Sequence, residues 1–346
     1  MAVADELRAR GATVSFLGTR NRIEAQLVPA AGYEIDFLSA LGIDRRNPIR
    51  AAKAVFKAAT ATGTARGHLR RREADVVVGG GGFVAGPAGL AAVSLRTPLV
   101  LTEADSHLGL ANRLLARRAR RVCLAFPIEG REGEKYLVTG RPIPGAVLDA
   151  DRNRARERFG INPAARCLLV MGGSQGALSI NRAAADAFLV PGAAGELPDG
   201  LHVLHLAGRR DYPEIRERVG DSPPVPYTLL EYEPDLGDTL AASDLVLGRS
   251  GGSIFEVLAA GRPAILVPYP HATADHQASN ADWMQEQGAA IVIGDAELDG
   301  ERVRSVVAEL LGDPGMLEQM AGAASAAARP DAAARVADEV IKAAGE

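Results

Sequence analysis

Gly172-Gly173-Ser174-Gln175-Gly176 interrupts an apolar run at 167–171, and a helical pattern opens at Ala177. Glycines at a strand-to-helix turn let backbone N–H groups close on a ligand, and the start of a helix adds partial positive charge. Such a turn can seat a phosphate, with the Ser174 hydroxyl and N–H reaching one oxygen; alone, it can equally be a tight turn. Its spacing is not the Gly-x-Gly-x-x-Gly of a dinucleotide fold, so NAD is not implied. A second turn, Arg249-Ser250-Gly251-Gly252-Ser253, also joins an apolar strand to a helix. Arg249 is there either a second charge for a pyrophosphate or a structural ion-pair partner. Glu256 follows Ser253 by one helical turn, where a carboxylate can accept two ribose hydroxyls or simply face the helix dipole. The polar loop 268–277 offers Asp275 and Gln277 to sugar hydroxyls, while His271 and His276 lack a third metal ligand nearby.

The first half of the chain holds a third glycine-rich turn, Gly79-Gly80-Gly81-Gly82, followed by Phe83-Val84-Ala85-Gly86-Pro87. Thr102-Glu103-Ala104-Asp105 follows the strand at 98–101. Two carboxylates at the end of a strand can orient a hydroxyl or act as a base, or they can cap the helix expected from Leu108.

Alternating strand and helix patterns position these turns. Strands are expected at 13–17, 35–38, 75–78, 99–101 and 122–125, with helices at 21–27, 48–65, from about Pro87, and at 108–119. The turn-forming stretch Thr139-Gly140-Arg141-Pro142-Ile143-Pro144-Gly145 reads as a connection. A second series places strands near 167–171, 202–206, 226–230, 244–248, 264–268 and 290–293, and a last helix at 331–344 can lie over either domain. Two runs of βα units imply two parallel sheets covered by helices, with ligands beyond the C-terminal strand ends.

Composition narrows the function classes. The chain has 346 residues, enough for two domains, and 47% are apolar. Cys123 and Cys167 lie in apolar runs and read as core residues of a reducing compartment. No apolar stretch reaches the ~18 residues that span a bilayer, and the N-terminus lacks the pattern of a signal peptide. Residues 1–140 carry 21 Lys and Arg against 13 Asp and Glu, and the remainder 18 against 30. Much of that positive excess lies in Arg45, Arg46, Arg50, Lys53, Lys57, Arg66, Arg70, Arg71 and Arg72, on and beside a helix that can lie on an anionic membrane or be a solvated face. Phe56 is the one aromatic residue between Arg45 and Arg72, too little stacking surface for bases, which argues against nucleic acid.

Together, residues 79–87, 172–177, 249–251 with Glu256, and His276-Gln277-Ala278-Ser279-Asn280-Ala281 resemble the MurG family of glycosyltransferases. Residues 18–25 with Val28-Pro29 match that family's second strand and helix, so the resemblance covers nearly the whole chain. It implies an α/β protein of GT-B fold, two Rossmann-like parallel-sheet domains facing across a cleft. The expected division is an acceptor-binding, membrane-associating domain at 1–140, a connection at 141–165, a UDP-GlcNAc domain at 166–330, and a C-terminal helix at 331–346. The implied reaction is inverting transfer of GlcNAc from UDP-GlcNAc to the 4-hydroxyl of the MurNAc unit of lipid I, giving lipid II for peptidoglycan synthesis.

Carried over by position, the resemblance puts Ser174 near the phosphates and Glu256 on the ribose, with Gly173, Gln175, Arg249, Gly251, Gly252 and Ser253 also in the donor site. Gln277 falls on the GlcNAc hydroxyls, uracil near Tyr232 and Glu233, and Asp105 and Arg141 also on the donor. Gly80, Gly81, Gly82 and Phe83 fall near the acceptor pyrophosphate. The basic helix becomes a membrane dock at the cytoplasmic face, and cell-wall synthesis and division proteins become expected partners. Neither a cofactor nor a metal is implied; Arg, Lys and helix dipoles would stabilise departing UDP. Three departures stand out. The family's His-Glu-Gln-Asn stretch is Thr102-Glu103-Ala104-Asp105, which leaves Glu103 as the catalytic candidate. Its Asn-Pro-Val-Arg hinge reads Arg141-Pro142-Ile143-Pro144. Its first Gly-rich loop, carrying a His, has no counterpart, because residues 1–7 resemble the helix after it; an upstream strand and loop are therefore expected. The alternatives are another UDP-sugar enzyme of this fold, such as a glycolipid synthase or a UDP-GlcNAc 2-epimerase, and a non-catalytic UDP-GlcNAc-binding protein. The basic helix argues against the epimerase.

Overall fold

The structure, a computed structural model, describes residues 1–39, 48–173, 177–190, 197–272 and 275–345, with the backbone alone over 48–58. The described chain forms two compact units, Met1–Pro142 with Asp331–Glu346, and Ile143–Pro330. In the first unit the elements run α1 (Ala2–Ala9), β1 (Ser15–Gly18), α2 (Glu24–Ala30), β2 (Glu34–Phe37), α3 (Pro48–Arg71), β3 (Val77–Gly79), α4 (Gly82–Leu95), β4 (Leu99–Glu103), α5 (Leu110–Leu115), β5 (Arg121–Leu124) and β6 (Tyr136–Val138). All strand pairs are parallel, in a two-stranded sheet β1-β2 and a four-stranded sheet β3-β4-β5-β6.

Alternate residues of each strand serve opposite faces, as a pleated strand requires. Val77, Leu99, Leu101, Val122 and Leu124 pack with α3, α4 and α5 on one face. Val100 and Cys123 pack on the other with Leu7 of α1 and with Val336, Val340 and Ala343 near the C-terminus. Helix α4 starts at Gly82, ahead of the expected Pro87, because Gly81 takes φ +81° and turns the chain into the helix early; Pro87 lies within it. Strand β6 was not expected from the sequence.

The second unit contains α6 (Gly145–Leu148), α7 (Arg152–Phe159), β7 (Arg166–Met171), α8 (Leu178–Phe188), β8 (Leu201–Leu206), α9 (Tyr212–Val219), β9 (Tyr227–Leu230), α10 (Leu236–Ala242), β10 (Leu245–Gly248), α11 (Ile254–Ala259), β11 (Ala264–Leu266), α12 (His276–Glu286), β12 (Ala290–Val292), α13 (Gly300–Gly312) and α14 (Pro314–Ala327). Its parallel sheet has the order β12-β11-β10-β7-β8-β9. Residues 143–165, read from sequence as a connection, are built into this unit. Arg152 and Arg156 of α7 both bind Asp244, whose carboxylate also accepts the Cys167 N–H at the start of β7. The last helix, α15 (Ala332–Gly345), belongs to the first unit, where Asp338 pairs with Arg10 and Glu339 with Arg121.

One buried polar chain ties the second sheet to its helices. His205 of β8 lies between the Tyr227 hydroxyl, 2.6 Å from Nδ1, and Asn181 Oδ1, 3.0 Å from Nε2. Asn181 Nδ2 donates to Ala207 O and Asp211 Oδ2, so its Oδ1 faces the ring and Nε2 must carry the proton. Burial pushes the imidazole down to about 3. The unfolded chain, titrating near 6.5, then takes up a proton that the folded chain refuses until about pH 3. Stability is therefore full above about pH 6.5 and falls as the pH drops through that window. Urea titrations between pH 7 and 4 should show a loss on the order of several kcal/mol in the parent and a shallower slope in His205→Gln. Equal slopes would remove His205 from the acid response.

Candidate active site

In the second sheet, β7, β8 and β9 succeed one another on one side of β7, while β10, β11 and β12 run away from its other side. The direction of winding reverses between β7 and β10, and a crevice opens there beyond the C-terminal strand ends. Gly248 is paired with Met171 in register, so both Gly-rich turns leave the sheet side by side. A side chain at 248 would meet the Met171 carbonyl oxygen at 2.8 Å, so glycine is what lets the two strand ends lie this close. Gly173 takes φ +83° as β7 ends, while Ser174 and Gln175 lie outside the described residues.

The second turn is fixed from beneath. Ser250, fully buried, donates its hydroxyl to the Gln277 carbonyl (2.7 Å), and Asn280 Nδ2 donates to the Ser250 carbonyl (3.0 Å). These bonds seat Gly251, Gly252 and Ser253 against the start of α12. A Cβ at Gly251 would lie 3.8 Å from Gln277 Nε2, so the predicted phosphate turn and the predicted sugar contact are neighbours. Gln277 Oε1 accepts the Tyr269 N–H (3.0 Å), which turns the side-chain amide N–H groups toward Gly251. Glu256 lies in the first turn of α11, half-buried, and Asp275 stands just before α12 at φ +53°. Ser250, Asn280 and Tyr269 were not singled out in the sequence; the repeated Ser and Asn around the glycines were the available signal.

Arg249 takes the structural role of its two readings. Its guanidinium donates to the Val267 and Pro268 carbonyls, to Asp295 Oδ1 (2.6 Å) and to Ser179 Oγ (2.8 Å), and only 12% of its side chain is exposed. Ser179 also donates to Asp295 Oδ1 (2.8 Å). Arg249 thereby clamps the end of β11, the turn at Asp295 and the first turn of α8, rather than standing free to meet a pyrophosphate. Tyr232, beyond β9, is 41% exposed with the Arg209 guanidinium 4.8 Å from its ring centre, which leaves an aromatic surface for a base. Glu233 is instead engaged by Arg158 (2.6 Å) and is an anchor of this segment.

In the first unit, Gly80, Gly81 and Gly82 turn from β3 into α4, with φ of +81° at Gly81 and +74° at Gly82. A Cβ at Gly80 would lie 3.7 Å from Thr102 Oγ1, and one at Gly81 3.8 Å from Asn112 Nδ2, which puts this turn beside the end of β4. Phe83 is 51% exposed. Glu103, the catalytic candidate, is buried. Its Oε1 accepts the N–H groups of Ala104 (3.0 Å) and Asp105 (3.3 Å); Oε2 accepts Gly109 N–H (2.8 Å) and Asn112 Nδ2 (2.9 Å). Four donors engage the carboxylate, so it organises the 104–112 loop. The Asp105 and Arg141 side chains are half-buried. Among the described residues, no group of three or more His, Cys, Asp and Glu is placed to hold a metal.

The basic run divides. Arg71 and Arg72 bind Asp36 of β2, Arg72 also binds Glu34, and Arg66 donates to Ser94. Burial works against ionising Asp36, yet the Arg72 hydrogen bond and the charges of His68, Arg72 and Arg71 hold its carboxyl below the usual range. These arginines thus tie α3 to β2 and α4. Arg45 and Arg46, and the side chains of Arg50, Lys53 and Lys57, lie outside the described residues.

Two substitutions separate positioning from chemistry. Glu103→Gln points an amide N–H₂ at backbone donors and should cost about 1–3 kcal/mol of stability. Turnover should fall while the pH–rate profile keeps its shape; loss of the acidic limb would restore Glu103 as the base. Arg249→Lys keeps the charge but loses the fork, and should weaken UDP-sugar binding about tenfold by calorimetry. Unchanged affinity would show that the clamp serves folding alone.

Residues 1–124 match the model of the glycosyltransferase family 28 N-terminal domain and residues 167–336 that of its C-terminal domain. The chain is 39% identical over 341 residues to a protein of Moorella thermoacetica, covering 96% of this chain and 91% of that one. It is 40% identical over 354 residues to a protein of Mycolicibacterium paratuberculosis, covering 99% and 84%. Both are named UDP-N-acetylglucosamine--N-acetylmuramyl-(pentapeptide) pyrophosphoryl-undecaprenol N-acetylglucosamine transferase. The crystal structure of MurG from Acinetobacter baumannii superposes with a TM-score of 0.79 at 29% identity, covering 99% of this chain and 94% of that one. With its parallel-sheet units and its two family 28 domains, the chain has the GT-B fold and belongs to the MurG family of glycosyltransferases.

Proposed function

We infer that this protein transfers GlcNAc from UDP-GlcNAc to the 4-hydroxyl of the MurNAc unit of lipid I, with inversion, giving lipid II. The observation that carries this reading is the β7/β10 crevice, where two Gly-rich turns stand side by side and Gln277 lies next to Gly251. Backbone N–H groups of the turns at Gly173 and at Gly251 and Gly252 hold the pyrophosphate, with Ser174, Gln175 and Ser253 adding hydroxyl and amide donors. Glu256 accepts the ribose hydroxyls, Gln277 reads the sugar, and uracil lies by Tyr232. The acceptor hydroxyl attacks C1 of GlcNAc, the bond from C1 to the UDP oxygen breaks, and the hydroxyl proton passes to a base. The N–H groups that hold the ground-state phosphates hold the charge that grows on UDP. The first unit takes the acceptor, whose pyrophosphate lies by Gly80, Gly81, Gly82 and Phe83.

The enzyme works at the cytoplasmic face of the membrane, beside cell-wall synthesis and division proteins. Supporting this, Phe83 and Leu90 are each 51% exposed and lie seven positions apart on α4, hence on one side of it. Leu114 of α5 is 70% exposed, and Arg22 stands over the Phe83 ring at 5.6 Å. Apolar side chains beside a cation suit an anionic interface. No described helix is long and apolar enough to cross a membrane.

Labelled UDP-GlcNAc and a soluble lipid I analogue should yield the disaccharide product and UDP. Gln277→Ala should relax the choice of sugar while UDP itself still binds, and Glu256→Ala should weaken the donor by roughly 1–3 kcal/mol. Hydrolysis or epimerisation of the donor without transfer would overturn the reading. Leu90→Ser with Leu114→Ser should reduce binding to anionic vesicles and spare activity on the soluble analogue; unchanged vesicle binding would remove this surface from the dock.

A further inference from the structure

The buried polar chain of the second unit reaches the surface at one end. From the Tyr227 hydroxyl it runs through His205 to Asn181 in the first turn of α8, and Asn181 Nδ2 donates to Asp211 Oδ2 (3.0 Å). Asp211 stands at the N-cap position of α9, where an aspartate ordinarily accepts N–H groups of its own helix. It makes no such bond, and only 4% of its side chain is exposed. Both of its oxygens instead accept the Arg210 guanidinium, from Nε at 2.6 Å and from Nη2 at 3.0 Å. A fork held along that edge leaves Nη1 turned away, and among the described residues none bonds it. The Arg210 side chain is 58% exposed. A satisfied buried network that ends in a cation gripped along one edge presents the other edge in a fixed direction.

That direction is toward the crevice. The first turn of α8 is flanked by two arginines: Asn181 holds Arg210 through Asp211 on the β8 side, and Ser179 meets Arg249 and Asp295 on the β11 side. The Arg249 guanidinium is filled by the Val267 and Pro268 carbonyls, whereas Arg210 keeps an edge free of protein partners among the described residues. The Asp211 hydrogen bond and charge raise the Arg210 guanidinium above its ordinary value, burial opposes this, and Tyr269 adds to the rise. Tyr269 follows β11, so its influence on a residue that follows β8 places Arg210 on the side of β7 and β10. The preceding residue goes the other way, for Arg209 lies over the Tyr232 ring beyond β9. Arg210 thus stands between Tyr232, assigned to the base, and Tyr269, whose N–H binds the sugar-reading Gln277.

We propose that Arg210 binds the diphosphate of the donor, its Nη1 edge meeting phosphate oxygens at the start of α8 while Asp211 and the chain behind it hold the guanidinium in place. This assignment rests on the crevice being the seat of the nucleotide sugar. In such a ligand the diphosphate lies between base and sugar, which is where the guanidinium stands. The Gly-rich turns offer N–H dipoles to it, and Arg210 adds a full charge that Arg249, turned to carbonyls, does not. Asp211 does not cancel that charge, because Asn181 and the start of α9 share the carboxylate. A planar cation already fixed along one edge gives up little freedom when an anion meets the other. When the bond from C1 to the UDP oxygen breaks, negative charge grows on the group that Arg210 holds.

Titration of the protein with uridine, UMP and UDP, followed by NMR, separates the base end of the ligand from its phosphates. Arg210 is exposed, so replacing it leaves the core intact. Arg210→Gln should weaken UDP by about tenfold or more, UMP by less, and uridine not at all. Equal weakening of uridine and UDP would make Arg210 a support for the whole site and overturn the proposal. Unchanged UDP affinity would overturn it as well. Failure of the parent protein to bind UDP or UDP-GlcNAc would instead remove the nucleotide sugar from the crevice, and Arg210 with it; the parent titration shows that before any variant is compared.

Discussion

A parallel sheet sends its C-terminal strand ends to one side, and the winding of the second sheet reverses there between β7 and β10. The proposed handling of a nucleotide sugar depends on keeping the walls of this crevice in place. Arg249 does that from one side: a single planar cation joins the end of β11, the turn at Asp295 and the first turn of α8. Ser250 and Asn280 do it from below, pinning the second Gly-rich turn to α12. These groups are buried or nearly so and are held by hydrogen bonds, which fixes the turn at Gly251 and Gly252 in place. Preorganisation of this kind lets backbone dipoles stabilise a leaving phosphate without rearranging as the reaction proceeds.

The first unit organises its turns by the same means with different residues. Glu103 gathers three backbone N–H groups and Asn112 into one buried node, and the Gly80–Gly81 turn sits against that node through Thr102 and Asn112. The carboxylates of β2 play the matching part at the far end of α3, where Asp36 and Glu34 draw in Arg71 and Arg72. In both places a charged residue read as reactive or surface-seeking is spoken for by its neighbours. Among the exposed large apolar and aromatic side chains are Phe83, Leu90 and Leu114 in this unit and Tyr232 in the other.

Much of this was legible in the sequence, for reasons that can be named. The six strands of the second sheet are short apolar runs flanked by turn formers, and each was found within a few residues. The strand-to-helix turns at Gly173 and Gly251 were legible because glycines follow apolar runs there, and Gln277 was legible as the start of a helix after a polar loop. Helix α7 was missed although Asp151 caps it through Arg154 N–H and Gly160 ends it at φ +67°. Its polar composition, with Asp151 to Arg158 almost all charged or polar, hid the apolar period. The roles of Arg249 and Glu103 could not be read locally. Arg249 finds Asp295 46 positions away, and Glu103 is filled by a loop whose path the sequence does not declare.

The account turns on the β7/β10 crevice as the seat of the nucleotide sugar. Hydrogen exchange of the protein with and without saturating UDP-GlcNAc tests that most directly. Residues 171–179, 249–256 and 269–280 should become protected together on binding, while the sheet interior stays unchanged. Protection confined to other strand ends, with these three segments exchanging as they do in the free protein, would contradict it.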